Sequence, residues 1–304
     1  MFKMLALICA ITLACVQSLS VSTKKVAILG ASGYTGAELM RLLGGHTGVE
    51  VSVLTADRSA GQEFRSIYPQ FSGIKGLPKL TRWEDSKALI ESCDMAFCCL
   101  PHGTTQEIIS ALAASPTLKI VDLSADFRLS DVNSDEKWYG KPHVAIELQK
   151  EAVYCIPEIN RKDIKSARLV ANPGCYPTAA QLPLVPLLKA GLISTEDIII
   201  DAKSGTTGAG RAPKEAFLYC EVTDGIHAYG VASHRHAPEI EQQLGLASGK
   251  PDVIVNFTPH LMPMSRGILE TIYVKLTPGK TVADLKSELV RAYADEPFVH
   301  VLEG

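Results

Sequence analysis

The chain has 304 residues, 46% of them apolar and 21% charged, and its 30 Lys+Arg against 33 Asp+Glu leave a formal net charge of -3. That length carries two domains with sizeable cores, and the even charge balance without a long basic run argues against a nucleic-acid surface. Eight cysteines with no C-x-x-C pair and no regular Cys/His spacing argue against both disulfide staples and a metal centre.

In chain order, the first twenty residues place Lys3 ahead of an apolar run from Met4 to Val16, followed by small polar residues. This reads as a secretory-type leader, too short for a membrane span, with an N-terminal hydrophobic strand as the alternative. Residues 1–22, which include Cys9 and Cys15, are therefore set apart from the fold, and the mature chain is expected to have no membrane segment. "KKVAILG" then reads as a strand, "GASGYTG" as a glycine loop, and "AELMRLLGG" as a helix with Leu39, Leu42 and Leu43 on one face. "VEVSVLTADR", "MAFCCLP" and "KIVDLS" are further strands, and "GTTQEIISALAAS" is a helix between the last two. Cys98 and Cys99 fall in the apolar run and read as core. Strands alternating with helices predict a Rossmann-type, doubly wound parallel sheet over residues 24–171.

After residue 171 the pattern changes. "DIIIDAKSGTTGAGRAP" runs from a strand into a glycine-rich loop, "DVIVNFTPH" and "GILETIYVKL" are strands, and "TVADLKSELVRAYADEP" is helical. Strands with few helices between them predict an α+β domain with a mostly antiparallel sheet over residues 172–304.

Gly30, Gly33 and Gly36 follow a strand and open a helix, with Ser32, Tyr34 and Thr35 completing the loop. In that setting the glycines permit a tight turn, an approach to a pyrophosphate and close helix packing, while the helix amides face the phosphates. The spacing is G-x-x-G-x-x-G rather than the usual G-x-G-x-x-G. At the tip of the second strand, Arg58 can pair with a 2′-phosphate, which favours NADP(H); a surface pair with Asp57 is the plain alternative.

"ANPGCYPTAA" places Cys175 between a strand and a helix, after Gly174 and between Pro173 and Pro177. A thiol at a helix N-terminus is drawn down from about 8.5 toward thiolate, so Cys175 reads as a nucleophile rather than a packed thiol. His234 and His236 flank Arg235 in "SHRHAPEI" and supply the base such a thiol needs. The amides of "KSGTTGAGR", beginning with Ser204 and Gly205, can cradle an anion of the cofactor, although a plain hairpin loop would look similar. A dinucleotide site, a helix-tip thiol and a histidine suit reduction of an activated acyl group to an aldehyde through a thioester.

Together, "GASGYTGAEL", "LPHGTTQE", "VDLSADFRL", "ANPGCYPTAA", "KSGTTGAGR", "HRHAPEI" and "FTPHLMPMSRGIL" resemble the N-acetyl-gamma-glutamyl-phosphate reductase family, in that family's order. The resemblance implies an NADPH-dependent enzyme of arginine biosynthesis, related to aspartate-semialdehyde dehydrogenase, with a small-molecule substrate and a homo-oligomeric assembly. It implies that Cys175 forms the acyl-thioester and that a histidine of "HRH" is the acid/base, His236 first and His234 second. Arg128 of "DFRL" becomes a substrate-anion contact, or equally a structural salt bridge, and Arg235 a second substrate arginine. Family members continue with another strand and a glycine-containing segment, so this chain is expected to be C-terminally truncated, with weakened cofactor binding. With the leader, the resemblance implies a plastid enzyme, with the mitochondrion as fallback. A reductase of a carrier-linked aminoadipyl phosphate and a non-catalytic NADP-binding redox sensor are the competing readings.

Overall fold

A computed structural model describes residues 23–303; the leader, with Cys9 and Cys15, lies outside them. The chain forms two compact units that divide between Ala96 and Phe97. The first holds β1 (Lys24–Leu29), α1 (Tyr34–Leu43), β2 (Val49–Thr55), α2 (Phe64–Ile67), β3 (Leu80–Thr81) and α3 (Trp83–Glu91), and ends in β4 (Met95–Cys98), which carries the division. β1 pairs in parallel with β2, from Lys24↔Val49 to Leu29↔Thr55, and β2 pairs in parallel with β3. Ile28, Leu29, Leu54 and Leu80 are fully buried, so these strands carry near-continuous apolar runs rather than an alternation, as parallel strands covered on both faces do.

The face of α1 differs from the sequence reading. Its buried residues are Gly36, Ala37 and Met40, and Leu42 is 58% exposed. Gly36 must lie against the backbone of Ala31, and that close approach turns the helix so that 36, 37 and 40 face inward.

The second unit continues through α4 (Thr105–Leu112), β5 (Lys119–Asp122), α5 (Asn133–Tyr139), α6 (Ile146–Glu151), β6 (Val153–Tyr154), α7 (Pro157–Ile164) and β7 (Leu169–Ala171). β5 and β6 both pair in parallel with β7. The parallel strands run β3-β2-β1 in the first unit and β5-β7-β6 in the second, the doubly wound pattern expected.

Next come α8 (Cys175–Lys189), β8 (Ile198–Ser204), α9 (Tyr219–Val222), β9 (His227–Ala228), α10 (Ala237–Ser248), β10 (Val255–Leu261), β11 (Ile268–Tyr273) and α11 (Val282–Tyr293). Their sheet runs β11-β8-β10-β9; β8 and β10 are parallel, and the two outer pairings are antiparallel. Along β8 the inward side chains are Ile198, Ile200, Ala202 and Ser204, a strict period of two. The first three meet Ala180, Leu184 and Leu188 of α8 and Ile240 and Leu244 of α10 in one core. α8 holds Pro183 and Pro186 inside a helix, and burial of Leu184, Val185, Leu187 and Leu188 around them offsets the lost hydrogen bonds. The six cysteines among the described residues are all free. Among the same residues no helix is long and apolar enough to cross a membrane.

Candidate active site

In the first unit the glycine loop joins β1 to α1. Gly30 has φ +78°, a backbone region closed to most side chains, and its N–H reaches the Thr55 hydroxyl while Ala31 N–H donates to the Thr55 carbonyl at 2.8 Å. The Tyr68 hydroxyl donates to the Ser32 carbonyl at 2.9 Å and fixes the loop from outside. A Cβ on Gly36 would sit 2.6 Å from the Cα of Ala31, so only glycine lets α1 pack there. Gly33 caps α1 without a side-chain hydrogen bond, and no acidic residue lies in the first turn. The amides of Tyr34, Thr35 and Gly36 therefore form a helix end suited to a phosphate. Arg58 is exposed, just past the end of β2.

In the second unit Cys175 is the first residue of α8, with Gly174 as its cap. β7 delivers the chain to that point, and the Asn172 N–H donates to the Asp122 carbonyl at 2.8 Å. Gly174 is a gap that two side chains fill. A Cβ there would lie 2.6 Å from His236 Nε2 and 2.9 Å from Arg128 Nη1. Of the two histidines, His236 is the one whose ring lies against the residue next to the thiol. His234 serves differently: its Nδ1 accepts the His236 N–H at 3.1 Å, and its ring sits among Tyr176, Tyr229 and Phe257. It orients the His236 backbone from within an aromatic cage. Arg235 is exposed between them.

The electrostatics correct one expectation. Burial pushes the Cys175 thiol up, and the Tyr176 amide, Arg128 and the Cys175 amide, which favour thiolate, do not fully offset it. The residue nevertheless keeps open surface, so this desolvation is shallower than that of the enclosed Cys98. Burial also holds His236 well below the usual imidazole range, helped by His234, Arg128, Arg235 and His102. A neutral His236 gives no charge to stabilise a thiolate at rest, and its ring is free of the proton that a base would take up. Its Nδ1 is buried without a hydrogen-bond partner, which makes its protonated form a ready donor.

Arg128 is committed within the protein. It is 5% exposed, and it donates from Nε to the Asn172 carbonyl at 2.8 Å, from Nη2 to the Leu123 carbonyl at 3.1 Å and from Nη1 to Glu239 at 3.3 Å. Only the last of these is the salt bridge of the structural alternative; the other two hold backbone carbonyls. The glycine-rich loop after β8 also differs from the anion cradle read from its sequence. Gly205 N–H donates to the Gly267 carbonyl, Thr206 N–H to Met264 and Thr207 N–H to Ser265, while Ser204 is buried and bonds the Gly205 carbonyl. These amides are held by the 262–267 loop, against which Gly205 packs too closely for any side chain.

Glu239 went unread in the sequence. Fully buried, it accepts the Gly174 N–H at 2.8 Å and the Tyr154 hydroxyl at 3.0 Å on Oε1, and Arg128 on Oε2. Gln181 donates to the same Tyr154 oxygen at 2.6 Å. The available signal was spacing: Glu239 lies three residues after His236, one helical turn along, on the same side of α10. His102 of "LPHGTTQE" was also missed. Its Nδ1 accepts the Ala125 N–H at 2.7 Å.

Two family descriptions match the chain: the semialdehyde dehydrogenase NAD binding domain over residues 25–167 and the semialdehyde dehydrogenase dimerisation domain over residues 175–304. The chain is 60% identical over 282 residues to the N-acetyl-gamma-glutamyl-phosphate reductase of Rhodospirillum rubrum, covering 91% of this chain and 78% of that protein. It is 58% identical over 280 residues to the probable chloroplastic N-acetyl-gamma-glutamyl-phosphate reductase of Arabidopsis thaliana, covering 92% and 68%. Among solved structures, aspartate semialdehyde dehydrogenase II of Vibrio cholerae superposes with a TM-score of 0.66 at 16% identity, covering 88% of this chain and 79% of that one. The Candida albicans aspartate semialdehyde dehydrogenase with NADP gives 0.63 at 17% identity, covering 88% and 76%, and both show a shared fold.

Proposed function

The chain belongs to the N-acetyl-gamma-glutamyl-phosphate reductase family, and we propose that it reduces N-acetyl-L-glutamyl 5-phosphate to N-acetyl-L-glutamate 5-semialdehyde with release of phosphate. The reaction is a step of arginine biosynthesis and uses NADP(H). Residues 24–171 serve as the cofactor domain, and residues 172–304 as the catalytic and dimerisation-type domain of a homo-oligomer. Cofactor contacts are assigned to Gly30, Ser32, Gly33, Tyr34, Thr35, Gly36 and Arg58. The chloroplastic names of two plant relatives support a plastid location.

The observation that carries the reading is the gap at Gly174, which brings His236 and Arg128 beside the residue that precedes Cys175. His236 Nε2 takes the thiol proton as Cys175 Sγ attacks the acyl carbon, and the Sγ–C bond forms while the bond from carbon to the phosphate oxygen breaks. The resulting imidazolium, opposed by Arg128 and Arg235, gives its proton to the leaving phosphate. When bound, NADPH supplies the hydride that reduces the thioester carbon. Sγ then leaves, takes up a proton, and the aldehyde is released. Arg128 and Glu239 hold the Gly174 backbone so that the thiol keeps its place at the helix end.

The relatives' names favour neither the carrier-linked aminoadipyl substrate nor a sensor. The test is the reverse reaction: N-acetylglutamate semialdehyde, phosphate and NADP should yield NADPH absorbance that depends on phosphate. Cys175→Ser should lower it by several orders of magnitude while leaving NADPH binding intact. NADPH formation without added phosphate, or a Cys175→Ser enzyme with most of its turnover, would overturn the assignment.

A further inference from the structure

His102 sits in the loop between β4 and α4, and a hydrogen bond fixes its ring. Ala125 N–H donates to Nδ1 at 2.7 Å, so the neutral ring must carry its hydrogen on Nε2. On its C-terminal side the loop is pinned by the Asp126 carboxylate, which accepts the Gly103 N–H at 2.7 Å and the Thr105 N–H at 3.0 Å. Gly103 itself takes φ +75°, and the Tyr139 ring lies 6.0 Å from the imidazole. The segment on which His102 docks also carries Arg128. Arg128 N–H donates to the Ala125 carbonyl at 3.2 Å and its Nη2 to the Leu123 carbonyl, while its Nη1 reaches the gap at Gly174. One short loop thus joins the His102 ring to the arginine beside the thiol.

We propose that His102 is a further catalytic residue, an anion ligand whose Nε2–H donates to the phosphoryl oxygens of the acyl phosphate attacked by Cys175. The proposal rests on the acyl-phosphate reading above. Burial, with Arg235 and Arg128, holds the ring down to about 3, and His102 in turn opposes a charge on His236. The gap at Gly174 holds Arg128, whose charge Glu239 partly offsets, and His236, and the Ala125 contact sets His102 on the segment that carries Arg128, with the exposed Arg235 beside His236. A doubly charged phosphoryl group suits such a set, because a neutral donor adds a hydrogen bond without a third repelling cation. The hydrogen bond strengthens as charge gathers on the departing phosphate.

Two substitutions separate this role from anchoring. His102→Asn keeps an oxygen where Nδ1 accepts the Ala125 N–H but removes the distal donor; His102→Gln keeps a distal N–H and loses the anchor. In the reverse reaction His102→Asn should raise the KM for phosphate about 10- to 100-fold, the range for losing a hydrogen bond to a charged group. The KM for the semialdehyde and the affinity for NADPH should stay within about twofold, and His102→Gln should recover much of the phosphate affinity. A phosphate KM unchanged in His102→Asn, or equal losses in both variants, would overturn the proposal. Inorganic phosphate titrated into ring-15N-histidine protein gives a readout independent of turnover: the His102 Nε2 resonance should shift on binding, and a still resonance at saturating phosphate removes the ligand role. A wild-type protein that shifts this resonance yet forms no NADPH would instead sink the assigned reaction.

Discussion

At residue scale the sharpest constraint at the candidate site is a side chain that is missing. Gly174 has φ -67° and ψ 162°, a conformation alanine adopts freely, so its requirement for glycine comes only from crowding by His236 and Arg128. Gly174→Ala adds one methyl group inside both contacts and must displace the imidazole, the guanidinium or the backbone before Cys175. Arg128 is held by two carbonyls and a buried carboxylate, which leaves His236 as the group that moves. We expect a folded protein with normal NADPH affinity whose kcat falls on the order of 10²-fold, the usual effect of a catalytic group displaced by about 1 Å. Steady-state kinetics beside a thermal melt check this, and a kcat within twofold of wild type would mean that His236 does not act from this position. The thiol itself is raised rather than lowered although it stands at the helix end, because burial outweighs the Tyr176 amide, Arg128 and the Cys175 amide that favour thiolate.

At the scale of elements, the glycine loop separates packing from binding in a way its motif does not. A Cβ on Gly36 would lie within 2.8 Å of three backbone atoms of Ala31, which cannot swing aside, whereas a Cβ on Gly33 would rest 3.4 Å from the Gly30 carbonyl, an ordinary contact. Gly36→Ala should therefore cost about 1–3 kcal/mol of stability through overpacking and shift α1. Gly33→Ala should leave the urea midpoint nearly unchanged while lowering NADPH affinity, because the methyl stands at the amides proposed above to receive the phosphates. Equal midpoints for the two variants would contradict this division. These elements were legible because their signals are local: apolar runs closed by Gly30, a thiol directly before "YPTAA", a strand running into the glycines of "DIIIDAKSGTTGAG". What escaped was settled by contacts far along the chain. Glu239 reaches Gly174 across 65 residues, Ala125 fixes His102 from 23 residues away, and the amides after Gly205 are taken by the 262–267 loop. Spacing along one segment carries no record of such partners. Leu42 illustrates the converse, since its helical period was right and its face was set by the Gly36 contact instead.

Across the whole molecule, the buried titratable groups of the second unit set opposing limits on stability against pH. Burial holds His102 at about 3, His234 at about 4 and His236 below the usual 6.5, so these rings stay neutral in the fold while the unfolded chain takes up protons below 6.5. Their contribution is present above 6.5 and is lost as pH falls toward 4. Asp122 and Glu270 act in the other sense. Burial raises Asp122 from 3.8 to about 7 despite the Ser124 amide and hydroxyl that bond it, and raises Glu270 from 4.5 to about 8, where both of its oxygens are buried with no hydrogen-bond partner. Each holds a proton in the fold that the unfolded chain has released, so its contribution is complete below about 4 and is lost as pH rises through 7 and 8. Between about 4.5 and 6.5 three histidines work against two carboxyls, and stability rises gently with pH. Above 6.5 only the carboxyls titrate, and stability falls until about 8. The maximum should therefore lie near pH 6.5. Asp122→Asn combined with Glu270→Gln removes the descending limb: the variant should match or trail wild type at pH 5 and exceed it at pH 8. Urea midpoints at pH 5, 6.5 and 8 decide the matter. A variant less stable than wild type at pH 8 would mean that the two carboxyls are ionised and partnered in solution, and the buried-proton account would fail.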